Sequence, residues 1–164
     1  MKYAVWTTSY YDARVGRGVM AYRKVNSLPR LETTTPQIVR DVLAGKGGYK
    51  VRYPGLGRHV EADISQQILS LVDVGGRLIR TYHTSSGAPA TPTIIGTFTF
   101  YSKTYGVNAK GMVHSNYFIR GYAIHGYASV PPYNASHGCL RIPIPDALAV
   151  YNWIRIGDRI RVEY

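Results

Sequence analysis

From residue 58 onward the chain is a series of short runs of β-branched and aromatic residues separated by turn signals, which limits it to a mainly β fold. These runs cover residues 60–63, 67–72, 78–83, 94–101 and 116–125, and residues 159–163 alternate as a strand does. Residues 73–76 (DVGG) are typical of a hairpin connection. The fifteen tyrosines and seventeen glycines agree, because tyrosine favours strands and glycine favours turns. Successive short strands of this kind predict a β-sandwich or barrel.

Helix is expected only at the two ends of the chain. Val15, Val19 and Tyr22 fall at helical spacing, and a second helix is predicted from Thr35 as N-cap to Gly45 as the stop. A third helix is predicted to open at Pro145 and Asp146 and to end before Gly157. Its predicted apolar face is Ala147, Leu148, Tyr151 and Ile154.

The glycine-rich, basic residues 45–57 are the expected boundary between two regions. Residues 1–50 are interpreted as a small helical segment and residues 51–164 as the β domain. A length of 164 residues suits one ordinary domain with a small appendage.

The net charge of +11 predicts an anionic partner or surroundings, such as nucleic acid, an acidic membrane or an anionic cell-wall polymer. Residues 1–6 begin like a signal peptide, but polar residues 7–9 end the apolar run too early, so we expect an export signal to be missing from the chain. No stretch reaches the eighteen or so apolar residues of a membrane span.

The single cysteine, Cys139, lies in residues 136–141 (SHGCLR) between polar residues and glycine, which indicates a reactive thiol and favours thiolate. His125, placed at a strand end, is the candidate base that would take the thiol proton and return it to a leaving amine. Gly138 allows backbone N–H groups to turn toward a developing oxyanion. Together these residues indicate acyl transfer.

Other interpretations fit the same residues. A lone cysteine is more often part of a core, and one Cys–His pair is weak evidence. His125, His137 and Cys139 would form a zinc site, although the absence of HExxH and paired CxxC motifs counts against it. The charge and the tyrosines also suit a non-catalytic module that binds cell wall or nucleic acid.

Residues 124–126 (IHG) and 136–141 (SHGCLR) resemble the signature of the L,D-transpeptidase catalytic domain of bacterial cell-wall synthesis. The resemblance extends over residues 58–164 and includes Gly87, residues 91–93 (TPT) and residues 96–98 (GTF). It implies a mostly β sandwich. Residues 18–26 and the helix after Thr35 more loosely resemble the end of a peptidoglycan-binding helical module, which would be incomplete here.

The resemblance implies that Cys139 is the nucleophile, that His125 is the general base and acid, and that the Gly126 carbonyl orients the imidazole. It also implies oxyanion donors in the backbone of His137, Gly138 and Cys139. Family members attack the amide between a meso-diaminopimelate-type residue and the terminal D-alanine of a tetrapeptide stem. An amino group of another stem then resolves the acyl-enzyme as a 3-3 cross-link. Water in place of the amine would make the protein an L,D-carboxypeptidase, and the sequence leaves both open.

The implied enzyme needs no metal or nucleotide, acts outside the cytoplasm, and has peptidoglycan stem peptides and anionic wall polymers as partners, with no nucleic acid expected. Six residues are candidates for substrate binding: Ser136, His137, Arg141, Tyr117, Tyr122 and Met112. Each of these residues could also have a purely structural role. Ser136 would stabilise the turn, His137 would make a structural hydrogen bond, Arg141 would brace the loop, and the other three would belong to the core. The remaining histidines, His59, His83 and His114, are expected to be surface or strand residues.

Overall fold

The computed structural model describes Tyr3 and residues 10–164. Apart from Tyr3, the residues that resemble the start of a signal peptide lie outside this description. The helices are α1 (Ala13–Val25), α2 (Pro36–Leu43) and α3 (Ile144–Trp153), with a short 3₁₀ turn at Pro54–Leu56. The strands are β1 (His59–Asp63), β2 (Ile68–Val72), β3 (Leu78–His83), β4 (Gly96–Thr99), β5 (Ser102–Val107), β6 (Val113–Ile119), β7 (Tyr122–Tyr127), β8 (Leu140–Pro143) and β9 (Arg159–Glu163). None of the helices described is long and apolar enough to cross a membrane.

The strands form two sheets, and the predicted mainly β sandwich is confirmed. One sheet has five strands in the order β3-β2-β1-β9-β4, and the other has four in the order β5-β6-β7-β8. One continuous core contains Leu69 and Ile160 from the first sheet and Ile124 and Ile142 from the second. Side chains of this size contribute about 1.5–3 kcal/mol each when they are fully buried, so the core fixes the register of β7 and β8.

Two of the strand predictions were wrong. Residues 116–125 were predicted as one strand, but the chain turns at Arg120 (φ 49°) and Gly121, and the segment is shared by β6 and β7. Residues 94–101 contain a strand only at Gly96–Thr99. Strands β5 (SKTYGV) and β8 (LRIP) were not predicted, since the first lacks an apolar face and the second is short and ends in proline.

The predicted helices are present, with one correction to the third. Asp12 caps α1 and Thr35 caps α2, which has Pro36 as its first residue. In α3 the side chain of Leu148 is 42% exposed, whereas Val150, left out of the predicted apolar face, is fully buried. The helix turns Val150 toward the sheet because β6, β7 and β8 all pack against it.

The N-terminal helix α1 packs against β2 and β3 of the five-stranded sheet. Lys24 is 2% exposed, and its ammonium donates to the carbonyls of Gln67 (3.0 Å) and Thr84 (2.9 Å). Arg17 pairs with the buried Asp146 of α3 at 3.0 Å. Residues of the N-terminal segment therefore make buried polar contacts with the β domain.

Candidate active site

The parallel pairing of β7 and β8 brings the two predicted catalytic residues to the same part of the four-stranded sheet. Ile124 pairs with Leu140 and His125 with Arg141, so Cys139 immediately precedes the first paired residue of β8. The Cys139 thiol donates to the Gly121 carbonyl at 3.7 Å, in the turn just before β7. Ile124 and Leu140 both lie in the core, and successive residues of a strand point to opposite faces, so the neighbouring His125 and Cys139 are placed on the other face. Thiol and imidazole are therefore on one face of the sheet.

His125 lies within β7, not at its end, and is 3% exposed. Its Nδ1 lies 2.9 Å from the Gly126 carbonyl oxygen. A carbonyl only accepts, so Nδ1 carries the proton in this bond and Nε2 keeps a free electron pair. Burial lowers the pKa of the ring, the Gly126 hydrogen bond opposes that shift, and the positive charge of Arg141 adds to it. The imidazole is thus neutral and able to take a proton.

The thiol is not held as a thiolate, contrary to the prediction from its polar neighbours. Burial raises the pKa of Cys139, and the backbone N–H of Ala123 together with the charges of Arg141 and Lys110 offsets this only in part. The site therefore holds a neutral thiol and a neutral histidine.

Cys139 lies in a tight turn held by Ser136. The buried Ser136 hydroxyl donates to the Cys139 carbonyl (2.5 Å) and accepts from the Gly138 N–H (3.0 Å). These bonds agree with the interpretation that Ser136 stabilises the turn. The Gly138 N–H, one of the three expected oxyanion donors, is occupied by Ser136, which leaves the amides of His137 and Cys139.

A second layer supports this turn from residues 84–93. The Thr93 hydroxyl donates to the Gly138 carbonyl (2.8 Å) and accepts from the Gly87 N–H (2.9 Å), and the Thr91 hydroxyl donates to the Ser136 carbonyl (3.1 Å). A Cβ on Gly87 would lie 2.3 Å from the Thr91 carbonyl oxygen, so only glycine fits there. Sequence reasoning gave Thr91 and Thr93 no role at the site, although the TPT run near a glycine was the available signal.

The other predicted substrate-binding residues surround this turn. The Arg141 guanidinium stacks on the Tyr127 ring at 4.3 Å and donates to the Ala135 carbonyl at 3.4 Å, which are the contacts of a brace. The Tyr122 ring lies against Gly138.

The last three of these candidates lie around β6 and in the turn itself. Tyr117 pairs with Ala123 across β6 and β7, Met112 is 8% exposed before β6, and His137 is exposed near Cys139. The structure brings Ser136, His137, Arg141 and Tyr122 to the turn that holds Cys139. Tyr117 and Met112 belong to β6 and its approach.

The zinc interpretation has no geometric support in the described part of the chain. Among Tyr3 and residues 10–164, no three His, Cys, Asp or Glu side chains are grouped to hold a metal ion. His59 and His83 are strand residues, as expected, but both are buried. His59 lies 3.0 Å from Glu61, and His83 contacts Lys24.

Residues 57–162 match the family model of the L,D-transpeptidase catalytic domain, YkuD. The chain belongs to this family. The L,D-transpeptidase of Xylanimonas cellulosilytica (its residues 123–326) is similar over 99% of this chain and 87% of that one, with 29% identity and a TM-score of 0.85. The structure of an L,D-transpeptidase with imipenem, at 24% identity and a TM-score of 0.59, shares the fold over 65% of this chain and 59% of that chain. An L,D-transpeptidase of Mycobacterium smegmatis is similar at 26% identity and a TM-score of 0.58, over 65% of this chain and 58% of its own. No match is found among curated proteins.

The family thus confirms the resemblance on which the sequence analysis relied. The matched region includes His125, Cys139 and the bracing residues of the second layer. The region before residue 57 lies outside the family model, but the similarity to the Xylanimonas cellulosilytica structure includes it.

Proposed function

We propose that this L,D-transpeptidase family member forms 3-3 cross-links between peptidoglycan stem peptides through an acyl-enzyme on Cys139, with release of D-alanine. The observation that carries the proposal is the hydrogen bond from His125 Nδ1 to the Gly126 carbonyl. It leaves Nε2 as the base on the sheet face that holds the thiol.

The chemistry follows from two neutral partners. As sulfur attacks the amide carbon, the Cys139 proton passes to His125 Nε2, and the amide oxygen becomes an oxyanion. Collapse of this intermediate breaks the carbon–nitrogen bond, and the departing D-alanine amine takes the proton from His125. The enzyme then holds a thioester.

The second half of the reaction reverses these roles. His125 takes a proton from the acceptor amine as that amine attacks the thioester carbon, and Cys139 leaves and recovers the proton. The amides of His137 and Cys139 are the proposed donors to both oxyanions, with a typical contribution of about 3 kcal/mol per donor. Ser136 and Thr93 act on this step by holding the turn that presents those amides.

The net charge of +11 supports an extracytoplasmic site of action, because the bacterial wall carries anionic polymers. Basic residues would concentrate the enzyme at that surface, and salt would weaken this attachment. Turnover of a small soluble stem peptide would change little with salt. Stem peptides are the proposed substrate, and wall polymers the proposed anchor.

The test is mass spectrometry of a tetrapeptide stem after incubation with enzyme. Transpeptidation predicts release of free D-alanine together with a cross-linked dimer. Release of D-alanine with tripeptide but no dimer, at high acceptor concentration, would assign the protein as an L,D-carboxypeptidase. An unchanged tetrapeptide would contradict both activities.

A further inference from the structure

Strand β6 carries an extra residue directly opposite His125. Val113 pairs with Gly126 and Asn116 with Ile124, so His114 and Ser115 together face the single residue His125. His114 has a φ of 53°, a left-handed conformation that is uncommon outside glycine. This is a β-bulge, and bulges beside active sites often change the direction of a side chain.

The side chains of the two bulge residues have different surroundings. The His114 ring lies 4.6 Å from that of Tyr105 and 5.6 Å from that of Tyr151, and its Nδ1 accepts from the Gly106 N–H at 3.1 Å. Ser115 is left as the bulge residue across from His125.

Strand alternation decides which face Ser115 occupies. Asn116 pairs with Ile124, which lies in the core, and Tyr117 pairs with Ala123. Residues two apart on a strand share a face, so Ser115 and Tyr117 lie on the face of Ala123 and His125.

The Ser115 side chain is also energetically unusual. Ser115 is 1% exposed, and its Oγ has no hydrogen-bond partner within the described residues. A buried unpaired hydroxyl costs free energy, and native proteins contain few of them. An unpaired hydroxyl and a left-handed backbone residue therefore occur together, across from the proposed base.

We propose that Ser115 is a positioning residue for His125. The Ser115 hydroxyl oxygen stabilises the imidazolium that forms when the Cys139 proton is transferred. The idea rests on the proposed function of His125. In the resting enzyme the ring is neutral and has no charge for the hydroxyl to solvate. Both N–H groups of the imidazolium already have partners, Nδ1 the Gly126 carbonyl and Nε2 the reacting groups, so Ser115 Oγ acts on the charged ring through its dipole, and this interaction arises only during the reaction.

The other titratable groups near the His125 ring do not supply a dipole of this kind. Tyr127 on the same strand meets the His125 ring at 5.6 Å in an edge contact, and Arg141 on β8 carries a positive charge that lowers the His125 pKa. Cys139 is the proton donor, and the His114 ring is engaged with Tyr105 and Tyr151. Ser115 differs from the neighbouring tyrosines in that its hydroxyl is buried and has no hydrogen-bond partner within the described residues.

The test is an NMR titration of histidine-labelled enzyme, in which the His125 signal is identified by its loss in His125→Gln. Ser115→Ala is expected to lower the His125 pKa further, by roughly half a unit or more. It should reduce kcat/KM several-fold and move the acidic limb of its pH profile to lower pH. Its melting temperature should stay the same or rise, because an unpaired buried hydroxyl has been removed. Ser115→Thr, which keeps the hydroxyl, should restore the pKa and kcat/KM.

Ser70→Ala is the matched control, since Ser70 is fully buried in the other sheet and its hydroxyl is bonded to Thr81 at 2.9 Å. It should lower the melting temperature and leave the His125 pKa unchanged. An unchanged His125 pKa in Ser115→Ala would overturn the proposal, as would a loss that threonine does not restore or an alanine variant that fails to fold. Because the titration needs no substrate, it tests Ser115 even if the stem peptide is not turned over.

Discussion

The ring of Tyr122 lies directly over Gly138, the residue before Cys139. A Cβ on Gly138 would stand 2.2 Å from Tyr122 Cε1, and Gly138 has a φ of 109°. Both the backbone conformation and the space around it therefore require glycine at this position.

We expect Gly138→Ala to abolish D-alanine release, because the turn must move either its backbone or the Tyr122 ring. Gly48→Ala is the matched control, since a Cβ on Gly48 would meet no atom within 4 Å and its backbone is not left-handed, and it should retain most activity. The double variant Gly138→Ala with Tyr122→Ala should recover only part of the loss, because the backbone strain remains. Steady-state rates for the four proteins measure this. Full activity in Gly138→Ala would contradict the described turn.

Thr93 is expected to stabilise the turn that holds Cys139, although the two lie far apart in the sequence. Thr93→Val keeps the shape but removes both hydrogen bonds, and it leaves the Gly87 N–H and Gly138 carbonyl unpaired. At about 1–3 kcal/mol for each unpaired buried group, the melting temperature should fall and kcat/KM should drop at least tenfold. Thr93→Ser keeps the hydroxyl and should retain most of both. Equal activity in the valine and serine variants would show that the two bonds are unimportant.

The buried pair Lys24 and His83 predicts sensitivity to acid. Lys24 donates to His83 Nδ1 at 2.7 Å, and His83 Nε2 lies 2.9 Å from the Val130 carbonyl, on the loop between His125 and Cys139. Burial, assisted by the Lys24 charge, lowers the His83 pKa to about 3.

The direction of this pH dependence follows from proton uptake by the unfolded chain. Unfolded His83 takes up a proton near its ordinary pKa of about 6.5, while the folded protein does so only near pH 3. The contribution of His83 to the free energy of unfolding is therefore complete above pH ~6.5. Below that pH it falls by about 1.4 kcal/mol per pH unit until His83 is protonated in the folded protein. His83→Gln cannot be protonated and should flatten this dependence. Burial also lowers the pKa of Lys24 to about 6, so Lys24 contributes its own pH dependence above that pH. Denaturant melts between pH 6 and 4 therefore measure the His83 effect, and parallel curves for the two proteins would contradict the prediction.

How far the sequence predicted the site depends on how local each feature is. Cys139, His125 and Gly138 could be predicted as site residues because each belongs to a short sequence motif. The β6–β7 turn was missed because Arg120, and not the neighbouring Gly121, takes the left-handed conformation, and residues 117–119 and 122–124 on either side are apolar. The link from Thr93 to Gly138 spans 45 positions, and no periodicity reveals such a contact. The raised pKa of the Cys139 thiol depends on burial, which neighbours in sequence did not predict.

The two histidines near the thiol should differ in their importance. His125→Ala is expected to lose general acid and base catalysis, typically 10² to 10⁴-fold in kcat/KM. His137 is exposed, and His137→Ala should lose much less while keeping the wild-type melting temperature. Rates and melting curves of both variants decide this. A larger loss in His137→Ala than in His125→Ala would reverse the assignment of the base.

The central claim is that Cys139 carries the acyl group, and intact-protein mass spectrometry with a carbapenem tests it most directly. Wild-type protein should gain the mass of one carbapenem, and peptide mapping should locate the addition at Cys139. His125→Ala should acylate far more slowly, and Cys139→Ala should not acylate at all while melting like the wild type. Acylation of Cys139→Ala at the wild-type rate, or an adduct mapped to another residue, would contradict the account.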